Sequence, residues 1–77
     1  MENSNVKFSA GYKEKLAQAV ASLLLSNKDS EIMQTEFGEF IISFDKNFDG
    51  NLFLSVPTEE IGIKKDGVHI VYVFYKK

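Results

Sequence analysis

Residues 68–75 read Val68-His69-Ile70-Val71-Tyr72-Val73-Phe74-Tyr75. All of them except His69 are β-branched or aromatic, which is the composition of a strand. Both of its alternations are apolar. Val68, Ile70, Tyr72 and Phe74 form one, and Val71, Val73 and Tyr75 form the other. A strand buried on one face only carries polar residues at half its positions. This strand therefore belongs to a sheet that has to be covered on both sides.

Upstream, Phe40, Ile42 and Phe44 alternate with Glu39, Ile41 and Ser43, and Leu52, Leu54 and Val56 alternate with Phe53 and Ser55. Both runs have the period of two that marks a strand. A short fourth strand is expected at Ile61-Gly62-Ile63-Lys64, whereas residues 31–36 establish no period. Asp49-Gly50-Asn51 and Lys65-Asp66-Gly67 offer turn residues able to take positive φ, and Pro57 stops the second strand. Before residue 30 the period changes. Tyr12, Leu16, Ala19, Val20, Leu23 and Leu24 fall on one helical stripe, with Glu14, Gln18 and Ser22 opposite. This predicts a helix over roughly 10–26, capped by Ser9 and ended by Ser26-Asn27-Lys28-Asp29-Ser30.

These elements predict a single α+β domain over residues 9–77, with a flexible N-terminal segment, 1–8, before it. Its architecture is one N-terminal amphipathic helix packed on a three- to four-stranded antiparallel β-meander. One helix covers one face of a sheet. Ile41, Phe53, Val71, Val73 and Tyr75 are assigned to the second face as an interface. Its cover is residues 1–8 or 31–36, or another molecule; a two-fold homodimer that buries this face or pairs edge strands is the preferred assembly.

The length of 77 residues fits one small domain, and 44% apolar with 13% aromatic residues is too much for a disordered chain of net charge −2. Cysteine is absent, which excludes a disulfide framework, a thiol nucleophile and a zinc-thiolate site. The start, Met1-Glu2-Asn3-Ser4-Asn5, lacks the basic flank and apolar run of a secretory signal. The longest apolar stretch, near Ala19 to Leu25, falls short of the ~20 residues that span a bilayer. No membrane partner and a cytoplasmic location are expected.

One motif stands out. Asp45-Lys46-Asn47-Phe48-Asp49-Gly50-Asn51-Leu52 matches the start of an EF-hand calcium loop, with oxygen ligands at positions one, three and five and glycine at six. Position twelve, which needs a bidentate carboxylate, is Val56, and the flanks alternate as strands. The motif reads as a hairpin connection that uses Asn, Asp and Gly for their turn geometry, with a weak calcium site at residues 45–51 as the alternative. His69, the single histidine, has apolar neighbours and no nucleophile or carboxylate partner in sequence. With no phosphate loop, nucleophile elbow or paired histidines, the chain reads as a non-enzyme with no cofactor and no metal site.

Charge placement is the sharpest functional signal. Residues 1–28 carry four Lys and two Glu, for +2, and residues 61–77 carry four Lys and one Asp, for +3. Residues 29–60 hold eight carboxylates against Lys46 alone, for −7. Such a one-signed segment steers association with a partner of opposite charge. The expected function is a small protein-binding module, of the kind a viral or mobile-element accessory protein or inhibitor presents. Its acidic surface, Glu36, Glu39, Asp45, Asp49, Glu59 and Glu60, would meet a basic partner protein. The competing expectation is a single-strand nucleic-acid binder using Lys64, Lys65, Lys76 and Lys77 with Tyr72, Phe74 and Tyr75. Net acidity and the absence of Arg argue against it.

Overall fold

The computed structural model describes residues 11–76. The segment expected to be flexible, residues 1–8, lies outside them, as does Ser9; the residue at the N-cap position of the helix is Gly11, not the expected Ser9, because the helix begins at Tyr12. Helix α1 spans Tyr12–Ser26, as the periodicity predicts. Its buried stripe is Leu16, Val20 and Leu23, and Asn27 ends it in the left-handed region at φ 58°. Asparagine tolerates that conformation better than most residues with a Cβ, which is why it terminates helices.

Four strands follow: β1 Glu31–Thr35, β2 Gly38–Ser43, β3 Leu52–Pro57 and β4 Ile70–Tyr75. They form one antiparallel sheet in the order β1-β2-β4-β3, and the fold is α+β with the helix against the sheet. The order corrects the expected meander. β4 inserts between β2 and β3, so β2 and β3 run in the same direction without pairing.

The fourth strand is also not where the sequence placed it. Residues 58–61 form a 3-10 turn, Thr58–Ile61, closed by Gly62 at φ 73°, and Ile61 is buried. The extra strand is β1, in the segment that shows no period. Met33 is its one buried residue, and Ile32 stays 41% exposed at the sheet edge. A strand with so little buried leaves almost no alternation to read. The turn into β2 also lacks an Asn-Gly signature. Instead the Thr35 hydroxyl accepts from the Phe37 N–H and donates to the Gly38 carbonyl, and Gly38 sits at φ 112°, where a side chain would be strained.

Register decides which side chains share a face. β2 and β4 pair Phe40 with Tyr75, Ile41 with Phe74, Ile42 with Val73 and Ser43 with Tyr72. In β3 a bulge lies between Leu52, opposite Phe74, and Leu54, opposite Val73. The additional residue, Phe53, breaks the alternation. Leu52 therefore faces away from the helix, while Leu54 and Val56 face it. The core under α1 consists of Met33, Phe40, Ile42, Val56, Ile61, Val71 and Val73 against Leu16, Val20 and Leu23. Each fully buried side chain of this size contributes roughly 1.5–3 kcal/mol.

The five residues assigned to an uncovered face are thus separated. Val71 and Val73 lie fully buried among the residues under the helix. Phe53 and Tyr75 join Phe40 at one end of the same face, with ring centroids 5.2 Å, 5.8 Å and 4.8 Å apart around the trio. Only Ile41 is on the far face. The physical reason is that a period of two sorts residues within a strand, but says nothing about how neighbouring strands are phased.

Candidate protein-binding surface

On the face away from the helix, the register lines up Ile32, Ile41, Phe74 and Leu52 in one row across β1, β2, β4 and β3. Ile70 and Tyr72 follow Phe74 on the same side of β4. Of these, Ile32, Leu52 and Ile70 are exposed, whereas Phe74 is fully buried. The second face thus carries an apolar row whose members, apart from Ile41, differ from those expected.

The connection from β2 to β3 explains part of the difference. β2 ends level with Tyr72 and β3 begins level with Phe74, on the other side of β4. Residues 44–51 therefore travel back about 7 Å along the strands and about 10 Å across two inter-strand spacings. Phe48 packs on Phe74 with ring centroids 5.8 Å apart, so the loop crosses β4 on the face away from the helix. The calcium-like motif is this crossover, not a hairpin.

The polar residues of the loop are used to shape it. Asp45 Oδ1 accepts from the Asn47 N–H at 2.9 Å, and the Asp45 carbonyl accepts from the Phe48 N–H at 3.1 Å. Asp49 Oδ1 accepts from both the backbone N–H and the side-chain amide of Asn51. Side-chain bonds two residues ahead are the Asx geometry that makes Asp a turn former. Gly50 does not take the positive φ that its position suggested. Buried Ser43 anchors the start of the loop, donating to the Asp29 carbonyl and accepting from the Asp45 N–H. Among the described residues, no three His, Asp or Glu side chains converge as a metal site would require.

The six acidic residues do not form one patch. Glu39 lies on the far face of β2, next in its alternation to Ile41, where it accepts from Gln34 Nε2 at 3.0 Å and pairs with Lys76 at 3.5 Å. Asp45 and Asp49 belong to the crossover on that same face. Glu36 is in the β1–β2 turn beside Glu39. Glu59 and Glu60, on the 3-10 turn after β3, are at the other end of the sheet, about 20 Å from Glu39 along the strands. Three of the six therefore lie on the face of the apolar row, Glu36 lies in the β1–β2 turn, and two are remote from it.

The aromatic residues offered for nucleic-acid stacking are also divided. Phe74 is buried, Tyr72 is on the far face, and Tyr75 is on the helix face. Lys64 and Lys65 lead into the turn at the opposite end of β4 from Lys76. That turn is tight, with the Val68 N–H on the Lys65 carbonyl at 3.0 Å and Gly67 at φ 79°. The His69 side chain is exposed, and its carbonyl accepts from the Thr58 N–H.

Ile32, Phe48, Leu52 and Ile70 are surface residues that the sequence pattern does not mark as such. The available signal was their aliphatic or aromatic character, which also describes core residues. Only strand order and register distinguish the two. Among the described residues, no helix is long and apolar enough to cross a membrane. Comparison with known proteins finds no matching family model, no matching curated protein and no matching solved structure.

Proposed function

We propose that this chain is a non-enzymatic protein-binding module and that its binding surface is the sheet face away from the helix. One observation carries the reading: exposed Ile32 and Leu52 and half-buried Ile41 flank the buried Phe74 in one row, on the face that also carries Glu39 and the crossover holding Asp45 and Asp49. An apolar centre with a polar rim is how protein interfaces are built, and here the carboxylates Glu36, Glu39, Asp45 and Asp49 outnumber the cations Lys46 and Lys76, which favours a partner with basic residues around an apolar patch. Glu36 extends the rim at the β1–β2 turn. Glu59 and Glu60 are left out of this surface.

The test is capture of a basic partner from the native host by the immobilised chain, compared with two variants. Glu36→Lys with Glu39→Lys reverses charge on one side of the row. Asp45→Asn with Asp49→Asn removes charge while keeping the oxygen acceptors that shape the crossover. Both variants are expected to lose most of the captured partner, and the wild-type complex is expected to weaken as salt rises. Capture unchanged by both variants would refute the acidic rim.

A further inference from the structure

The two outer strands of the sheet are unequal. β3 has a bulge between Leu52 and Leu54, ends at Pro57 and runs into a 3-10 turn. Bulges and proline are devices that stop an edge strand from pairing with another chain. β1 has neither. It pairs with β2 in unbroken register from Glu31↔Ile42 to Thr35↔Gly38, and among the described residues its other side has no strand beside it. The turn between Thr35 and Gly38 has two residues, so its closing pair exchanges both hydrogen bonds. By alternation Glu31, Met33 and Thr35 bond to β2. The N–H and C=O groups of Ile32 and Gln34 point out of the sheet.

We infer that the β1 edge pairs antiparallel with β1 of a second copy, joining two four-stranded sheets into one. Two-fold symmetry about Met33 sets Ile32 opposite the second copy's Gln34, and each such pair exchanges two backbone hydrogen bonds. The same register sets Glu31 opposite Thr35, so no like charges meet. A groove of about 280 Å³ runs along this edge, with Lys15, Ala19 and Ser22 of α1 as one wall. Residues 27–30 are a short link, so α1 runs back along β1 and Lys15 lies toward its Thr35 end. There the second copy's Glu31 arrives, on the helix side of the sheet, and the symmetry repeats this complementary pair. Both helices sit on one face of the joined sheet. They meet across Ala19 and Ser22, small side chains that permit an interaxial distance near the lower end of about 8–10 Å.

This inference is independent of the partner surface, and either can fail alone. Sedimentation of the full 77-residue chain from micromolar to millimolar concentration tests it. A monomer–dimer equilibrium is expected in the wild type. Lys15→Glu should weaken it about tenfold through two symmetric ion pairs, and adding Glu31→Lys should restore it. Gln34→Pro removes an outward N–H without touching the bonds to β2, so it should give a monomer with unchanged helix content by circular dichroism. Should that variant fail to fold, the charge swap still decides. A wild type that stays monomeric throughout overturns the inference, and protected Ile32 and Gln34 amides in such a monomer would place the cover within the chain. So does a dimer that ignores the swap and Gln34→Pro alike.

Discussion

Apolar side chains of the same kind end in different states on the two faces of the sheet. Under the helix, Ile42, Val71 and Val73 are completely buried; on the other face, Ile32, Leu52 and Ile70 remain about 40% exposed. Composition does not separate them, because isoleucine occurs in both groups. What separates them is the cover. α1 places Leu16, Val20 and Leu23 in the core on one side, whereas the crossover places Phe48 on Phe74 on the other. An apolar strand position is a requirement for cover, and the same requirement is met by a helix, a loop or a second molecule.

The largest expected effect sharpens that contrast with one residue type. Ile42→Ala should destabilise the fold by about 2–5 kcal/mol, since it empties a site that the helix closes. Ile32→Ala should cost less than about 1 kcal/mol, because much of that side chain already meets water. Urea denaturation of both variants measures the difference, and equal losses would mean that the two faces are equally covered. Phe48→Ala comes next, at about 1 kcal/mol, the scale of a lost ring–ring contact. A loss near zero in the same measurement would show that the crossover does not shield Phe74. The smallest effect belongs to Lys76→Ala, which removes the pair with Glu39 at the rim of the far face. Both side chains are about 40% exposed, so solvent screening holds the change in thermal stability to within about 0.5 kcal/mol.

The elements with many apolar positions were legible. A helix predicted over roughly 10–26 is Tyr12–Ser26, and the runs centred on Ile42, Leu54 and Tyr72 are all strands. β1 was not legible, because a five-residue edge strand with one buried side chain has no periodic signal. The Ile61–Ile63 alternation misled for the opposite reason. Gly62 takes a left-handed conformation there and turns the chain, so the two isoleucines are not a strand pair at all. The candidate surface was legible in kind but not in membership. That one apolar face lacked a helix followed from the double alternation of residues 68–75; that it contains Phe74 rather than Val73 did not.

Local conformation follows from the chain's own patterning: where the helical period stops, where alternation begins, and that one helix is too little cover for a strand apolar in both alternations. Those properties depend on residues a few positions apart, so they survive in a one-dimensional reading. Strand order, the phasing of β2 against β4 and the parity change at the β3 bulge were decided only by tertiary structure. Each depends on which pairing buries the most apolar area at once. Because a shift of one residue moves every side chain to the other face, a single tertiary choice settles the identity of the whole surface.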